Sequence, residues 1–168
     1  NPGLTVRYLT SGRLFRLEYG EAHVAVRAGS PPDQPDNVVQ PFVRQKVGLY
    51  ASEAYAAAHG VPATVEAFDS HIFIGPEDEN SRAPFYRWLR ETVAPERITF
   101  RVTSEHTVKE AVLAGAGIGF MTECEADRLS GLVKVMDSRE DWTAPLWLVT
   151  HVDLHRTTKV QNFLSFLK

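Results

Sequence analysis

The clearest pattern of apolar and polar positions lies between residues 98 and 123, ITFRVTSEHTVKEAVLAGAGIGFMTE. Apolar residues alternate over 98–102, which predicts a short strand. They then recur at spacings of three and four over 108–115, which predicts a helix that Ser104 or Thr107 caps. A glycine-rich apolar run follows and predicts a buried strand. This β-α-β unit leaves unpaired N–H groups at the helix start, where an anionic small molecule can bind.

The glycines of GAGIG, residues 115–119, allow two interpretations. The spacing is similar to a dinucleotide-binding fingerprint, but that motif follows a strand and opens a helix. Here the glycines close a predicted helix and open a predicted strand, and Thr122 lies where the motif would continue. The favoured interpretation is that Gly115 ends the helix and that Gly117 and Gly119 allow close packing. No NAD site is predicted.

The rest of the chain alternates between the same two kinds of element. The pattern predicts strands over 5–9, 23–28, 46–51, 71–75, 132–136 and 146–150, and helices over 13–19, 52–59, 85–93 and 159–168. Residues 30–37 hold three prolines and predict a loop, and 38–43 predicts an extended crossover. Alternation of strands and helices predicts an α/β fold with a mostly parallel sheet.

Two of the predicted helices carry an apolar face. The residues expected to be buried there are Phe85, Trp88 and Leu89 in one helix, and Val160, Phe163, Leu164 and Leu167 in the last. A single crossover near 38–45 and a return near 150 suggest two lobes. If the last helix returns to the first lobe, residues 151–168 pack on the strands of residues 5–28.

Composition narrows the class of protein. The chain has 168 residues, 43% of them hydrophobic and 23% charged, which suits a globular domain with a real core. The net charge of −3 argues against nucleic-acid binding by this chain alone. One cysteine excludes an internal disulfide and suits a reducing compartment. No apolar run approaches the roughly 18 residues of a membrane helix.

The order of segments resembles the effector-binding domain of LysR-type bacterial transcriptional regulators. The residues that carry the resemblance are NPGLTVRYLTSG at 1–12, YGEAHVAVRAG at 19–29, KVGLYASEAYAAAHGVP at 46–62, VTSEHTVKEAVLAGAGIGFMTE at 102–123, GLVKV at 131–135, and PLWLVTH with KVQNFLSFL near the end. Each motif is loose, but their succession is specific. His23 departs from the family, which most often has an aspartate there.

The resemblance implies a fold like the type II periplasmic binding proteins, with two Rossmann-like lobes and an effector in the cleft. Lobe I would comprise residues 1–43 and 151–168, and lobe II residues 44–150. NPGLTV matches the family only after its winged helix-turn-helix, linker helix, first strand and first helix. We therefore expect the first lobe to be incomplete and DNA to be bound only through a missing N-terminal domain.

The resemblance also places the effector contacts at loops that follow strands. The implied effector-binding residues are Thr10, Ser11, Arg27, Gly75, Pro76, Thr103, Ser104, Met121 and Thr122. Thr10, Ser11 and Ser104 could equally be plain helix caps. Arg27 ends a predicted strand, where its guanidinium can bind a carboxylate in two-pronged fashion, or it can pair with Asp33 or Asp36. Glu77 is interpreted as a solvated loop acid.

Other reactive side chains give no defensible catalytic or metal site. His151 and His155 are four apart but follow a predicted strand, so they are interpreted as loop residues. His106 has no serine or cysteine partner at a recognisable spacing. Cys124 is expected to be a small buried thiol. No catalytic residue, metal ligand or cofactor is predicted.

The resulting hypothesis is a non-enzymatic, ligand-sensing domain of a cytoplasmic transcriptional regulator that forms a homodimer or homotetramer. Its partner would be a small effector, and an arginine with helix-start N–H groups favours an anionic one. The alternative is a solute-binding protein or a small enzyme on the same scaffold, since fold does not fix function.

Overall fold

The computed structural model describes residues 3–11 and 13–168. The chain divides into two compact units, which are residues 1–44 with 144–168, and residues 45–143. The predicted lobe boundaries, 1–43 with 151–168 and 44–150, stay a prediction. The difference at the second boundary is one strand, because residues 144–151 belong to the first unit.

Eight strands and six α-helices are found in the described residues. The strands are β1 (Ala25–Ala28), β2 (Asn37–Gln45), β3 (Val47–Ser52), β4 (Phe73–Pro76), β5 (Ile98–Val102), β6 (Gly119–Thr122), β7 (Leu132–Met136) and β8 (Ala144–His151). The helices are α1 (Glu53–His59), α2 (Pro84–Thr92), α3 (Glu105–Leu113), α4 (Glu123–Ala126), α5 (Val152–His155) and α6 (Thr158–Leu167). Short 3-10 helices lie at Leu17–Tyr19, Val65–Ser70, Pro95–Arg97 and Glu140–Trp142.

The first unit is built on a three-stranded sheet in the order β1-β8-β2. β1 runs antiparallel to β8, with Arg27 opposite Trp147. The indole N–H of Trp147 donates to the carbonyl of Gly29 at 2.8 Å, which fixes the turn after β1. Arg27 therefore does not end a parallel strand, because its paired neighbour runs in the opposite direction.

The last helix covers this sheet. Val160 and Leu164 of α6 are buried against Leu148 of β8, and Val24 and Phe42 pack on the same cluster. The apolar face predicted for residues 159–168 is thus present, although Phe163 and Leu167 are only half-buried. The helix returns to the first unit, but the strand residue buried in its cluster is Leu148 of β8 and not a residue of 5–28.

Two predicted elements near the start of the chain are wrong. Residues 5–9 form no strand, and 13–19 contain only the 3-10 turn at Leu17–Tyr19. In the described residues no strand pairs with 5–9, and Tyr8 is 87% exposed. Alternating apolar residues do not form a strand unless a neighbour satisfies their backbone groups.

The second unit is organised on β3, which lies between β6 and β7 and runs antiparallel to both. β4 and β5 pair in parallel. Ile74 donates its N–H to the Ile118 carbonyl at 2.8 Å, and Phe73 bridges Ile118 in parallel, so β4 joins the chain that enters β6. β4, β5, β6 and β7 therefore share one direction and β3 alone opposes them. The sequence predicted mostly parallel pairing, and that prediction is wrong. Three of the four described strand pairs are antiparallel, and only β4 with β5 is parallel.

An aromatic core fills one face of the second unit. Trp142 is 1% exposed, and its ring centroid lies 4.9 Å from that of Trp88 and 5.1 Å from that of Phe120. The face predicted for residues 85–93 is confirmed for Leu89, which is fully buried, and in part for Phe85 and Trp88, which are partly buried against the core.

The glycine run packs the opposite face of the sheet on α3. Gly115 has a φ of +79° and follows the helix, as predicted. A Cβ on Gly119 would lie 2.8 Å from Val112 Cγ2 and 3.0 Å from Val108 Cγ1, and one on Gly117 would lie 2.8 Å from the Ile72 carbonyl oxygen. The close-packing interpretation of GAGIG is therefore confirmed.

The burial of α6 can be tested with one matched pair of substitutions. Leu164→Ala removes a side chain that is 4% exposed and should lower the free energy of unfolding by about 2–5 kcal/mol. Phe166→Ala, on the same helix but 82% exposed, should change it by less than about 0.5 kcal/mol. Chemical denaturation of both variants measures the difference. Equal effects of the two substitutions would contradict this packing of the helix.

Candidate functional site

A cavity lies in the second unit where β4 and β5 end. Because these strands are parallel, their carboxyl ends meet at one edge, and the Glu77 N–H donates to the Val102 carbonyl at 2.8 Å across it. The cavity has a volume of about 420 Å³. Its lining residues are Pro76, Glu77, Asp78, Ser81, Tyr86, Val102, Thr103, Ser104 and Glu105. This is the edge at which open α/β sheets bind ligands.

The start of α3 forms one wall. Ser104 occupies the N-cap position with extended backbone, φ −136° and ψ 135°, and its carbonyl accepts from the N–H groups of Thr107 and Val108. Its side chain makes no capping hydrogen bond. Ser104 is therefore a cap by position only, and the predicted alternative cap, Thr107, lies inside the helix. Ser104 therefore lines the cavity without using its side chain as a cap.

Tyr86 of α2 forms a second wall. Its ring centroid lies 4.5 Å from that of Phe85 and 5.9 Å from that of Phe120 in an edge-on arrangement. Burial raises the pKa of Tyr86 to about 12, and the negative charge of Glu105 adds to this effect. The hydroxyl therefore stays protonated at neutral pH.

Glu105 occupies the first turn of α3 beside Tyr86. Its side chain retains access to solvent, yet the surrounding protein raises its pKa above the ordinary value of 4.5. Desolvation is the main cause, and repulsion from the carboxylate of Glu125 is the second. The cavity wall therefore holds a carboxylate that ionises less readily than an isolated glutamate.

The structure brings three of the predicted effector-binding residues together, which are Pro76, Thr103 and Ser104. Gly75 does not line the cavity, because its Cα faces the core, where an added Cβ would lie 2.6 Å from Ile98 Cγ2. Met121 is buried in the core that α3 covers. Thr122 caps α4, since its hydroxyl oxygen accepts from the Glu125 N–H at 3.3 Å. The effector role of all these residues stays a prediction.

The predicted residues of the first unit have other contacts. The Ser11 hydroxyl oxygen accepts from the Arg13 N–H at 3.1 Å, and no α-helix follows for Thr10 or Ser11 to cap. Arg27 donates to the Gln34 side-chain oxygen at 3.1 Å and to the Phe15 carbonyl at 3.3 Å. These contacts differ from the alternative in which Arg27 pairs with an aspartate of the proline loop.

Sequence reasoning missed several lining residues. Tyr86 and Glu105 were not singled out, and Asp78 and Ser81 lie in a stretch predicted only as a polar loop. Glu77 is exposed, as the interpretation of a solvated loop acid requires, and it also lines the cavity. The sequence could have indicated Glu105, because it directly follows Ser104, which was predicted to bind the effector. Tyr86 carries no such signal, since its neighbours Phe85 and Trp88 suggested an ordinary core face.

The remaining reactive side chains lie elsewhere. His151 caps α5, its Nδ1 accepting from the Asp153 N–H at 3.4 Å, and His155 Nδ1 lies 2.9 Å from the Thr150 hydroxyl oxygen. Cys124 is exposed, so the expectation of a buried thiol is wrong. It follows Thr122 by two residues in the first turn of α4, which lies at the surface. Within residues 3–11 and 13–168, no group of three or more His, Cys, Asp or Glu side chains is arranged to hold a metal ion.

Across the described part of the chain, no helix has both the length and the apolar character needed to cross a bilayer. No curated protein matches the sequence. The chain is thus an α/β protein of two units, one of which has a cavity at the carboxyl edge of parallel strands.

The chain belongs to the LysR substrate binding domain family, whose model matches residues 1–168. It is similar to the regulatory domain of CrgA, a LysR-type transcriptional regulator from Neisseria meningitidis, with a TM-score of 0.72 and 22% identity over 90% of this chain and 76% of that one. It is also similar to the full-length virulence activator AphB from Vibrio cholerae, with a TM-score of 0.68 and 19% identity over 95% of this chain and 55% of that one. The chain thus spans about half of a full-length relative. The periplasmic-binding-protein-like fold class predicted from the sequence is confirmed.

The raised pKa of Glu105 predicts a pH dependence of stability. Because the folded state holds the Glu105 proton more tightly than the unfolded state, this group favours folding most below about pH 4.5, and that contribution is lost as pH rises through the folded-state pKa. Glu105→Gln removes the titration. The stability of this variant relative to the parent should therefore increase between pH 4 and pH 7, as measured by urea denaturation at each pH. A difference independent of pH would contradict the assignment.

Proposed function

We propose that this chain is the ligand-sensing part of a LysR-type transcriptional regulator and that it binds a small effector at the cavity of the second unit. The observation that carries the proposal is the position of the cavity at the carboxyl ends of β4 and β5, against the start of α3. About 420 Å³ is enough for a small metabolite. Three residues implied by the family resemblance, Pro76, Thr103 and Ser104, line it.

The effector would act by differential affinity. A ligand that binds one arrangement of the protein more tightly than another shifts the population toward it. In a full-length regulator that shift would reach a DNA-binding domain N-terminal to this chain, and the assembly would be a homodimer or homotetramer in the cytoplasm. The two similar structures are described as a transcriptional regulator and a virulence activator, which supports a non-enzymatic role.

The site can be tested by filling it. The full-length regulator would be screened by thermal shift against small metabolites, and each stabilising compound would be retested on Ser104→Trp. The indole should occupy the cavity and abolish the ligand-induced shift together with the ligand-dependent transcription of a reporter. Loss of the Ser104 side chain should cost little stability, because it makes no capping bond.

The matched control is Thr107→Trp, an exposed position one turn further along α3 that does not line the cavity. It should respond to the same compounds as the parent protein. A Ser104→Trp variant that keeps the full response would place the effector elsewhere.

A separate part of the proposal is that the effector carries an anionic group. Arg27 of the first unit supports this part. Its guanidinium is half-buried and hydrogen-bonded to the Gln34 side chain and to the Phe15 carbonyl, so two neutral partners fix its position. A fixed guanidinium can bind a carboxylate through two parallel N–H groups, which an ammonium cannot reproduce.

Arg27→Lys should weaken binding of an anionic effector by roughly tenfold or more, since a hydrogen bond to charge is worth about 1.5–3 kcal/mol. Calorimetry on the full-length regulator measures the affinity. Arg156→Lys, at an exposed position of the same unit, is the control and should leave it unchanged. An affinity equal to the parent's in Arg27→Lys would leave Arg27 as a structural residue.

A further inference from the structure

A buried histidine and a buried tyrosine hold two segments of the second unit together. His71 follows the 3-10 helix Val65–Ser70 and is 4% exposed, and Tyr55 of α1 is also 4% exposed. The Tyr55 hydroxyl oxygen lies 3.2 Å from His71 Nδ1 and accepts from the Ile72 N–H at 3.0 Å. One phenol thus ties α1 to the two residues that lead into β4.

These hydrogen bonds determine which form of the imidazole the contact requires. The Tyr55 oxygen accepts from Ile72, and its hydroxyl proton has one acceptor in the described chain, which is His71 Nδ1. Nδ1 must therefore carry no proton, so the ring is neutral with its proton on Nε2. Protonation of the ring would turn Nδ1 from an acceptor into a donor. The Tyr55 hydroxyl proton would then be buried without a partner, which costs free energy.

The surroundings of His71 also disfavour its charged form. α1 faces it with Tyr55 and His59, whose ring centroids lie 4.6 Å apart. The acidic residues of the preceding 3-10 helix, Glu66 and Asp69, are exposed, and no described carboxylate forms an ion pair with His71. Burial lowers the pKa of His71 below its ordinary value of 6.5, and the charge of His59 lowers this pKa further.

The contact bears on β4 because Ile72 is also joined to the chain that enters β6. The Ile72 carbonyl accepts from the Ile118 N–H at 2.9 Å, and the Ile74 N–H donates to the Ile118 carbonyl at 2.8 Å. Gly117 lies so close that an added Cβ would be 2.8 Å from the Ile72 carbonyl oxygen. A rearrangement at Ile72 would therefore disturb the pairing through which β4 enters the sheet. β4 ends at Pro76, which lines the cavity.

We propose that His71 and Tyr55 form a pH-sensitive latch, in which protonation of His71 releases α1 from Ile72 and opens the segment that leads into β4. The closed latch binds a proton less tightly than the open one. By linkage it is therefore strongest above about pH 6.5 and weakens as the pH falls below that value. In mild acid this segment should open locally before the protein unfolds as a whole.

Hydrogen exchange of the ligand-free, full-length regulator tests the latch, with mass spectrometry of peptides and correction for the pH dependence of chemical exchange. Between pH 7.5 and pH 5, the protection of residues 71–76 and 117–120 should fall at least about threefold, and by no more than about tenfold per pH unit, because one proton is bound. Residues 144–151 of the first unit should lack this step. An equal fall in both units, or no fall in 71–76, would overturn the inference.

Matched histidine substitutions assign the step to one side chain. His71→Asn keeps an acceptor near the position of Nδ1 but does not titrate, so the protection of 71–76 should no longer depend on pH over this range. His59→Gln should keep the step but reduce it, because one charge that disfavours the protonated latch is gone. His106→Gln removes an exposed histidine of α3 and should leave the step unchanged. A full step in His71→Asn would show that another group titrates.

A second variant tests the hydrogen bonds without changing a histidine. Tyr55→Phe removes the hydroxyl that accepts from the Ile72 N–H, so residues 71–76 should lose at least about threefold in protection already at pH 7.5. The same protection as in the parent protein would contradict a latch at Tyr55.

One consequence rests on the proposed function. An effector in the cavity that β4 helps to form should bind more weakly at pH 5 than at pH 7.5, and the decrease should be smaller in His71→Asn than in the parent. Because the exchange measurement needs no ligand, it tests the latch by itself. A pH step in exchange together with equal decreases in affinity in both proteins would leave the latch established and separate it from effector binding.

Discussion

The second unit depends on one buried strand. All six residues of β3 are buried, and its backbone pairs with β6 on one side and β7 on the other. A strand without access to water must satisfy each N–H and carbonyl through its neighbours, so β3 fixes the position of both. Because β3 runs against β6 and β7, those two strands share a direction. Pairing through Ile118 extends that direction to β4 and β5.

This shared direction creates the candidate site. The carboxyl ends of β4 and β5 fall at one edge, and the chain that leaves β5 must turn into α3 there. Gly119 lets β6 lie so close to α3 that a Cβ would meet Val112 at 2.8 Å. The start of α3 is thereby fixed against the sheet edge, which leaves the cavity between that helix start, the loop after β4 and Tyr86.

The chemical character of the site comes from side chains that other contacts have left free. Ser104 lines the cavity and holds the N-cap position without using its side chain as a cap. Structural contacts hold Thr122 and Met121 instead, one as the cap of α4 and the other in the core. Polar residues at the ends of strands are therefore not equivalent, and the hydrogen bonds that each already makes decide which of them can meet a ligand.

The sequence by itself determined the local elements whose signals do not depend on partners. The β-α-β pattern of 98–123, the helix over 52–59 and the glycine that follows α3 were all predicted, because periodicity and helix-end signals act within a few residues. Tertiary structure decided the rest. Residues 5–9 have a strand pattern but no described partner, β3 opposes its neighbours although its sequence carries no direction, and Tyr86 lines a cavity although its helix reads as core. Contacts between residues far apart in sequence decide which strands pair, in which direction they run and which side chains line a cavity. No local sequence pattern encodes those contacts.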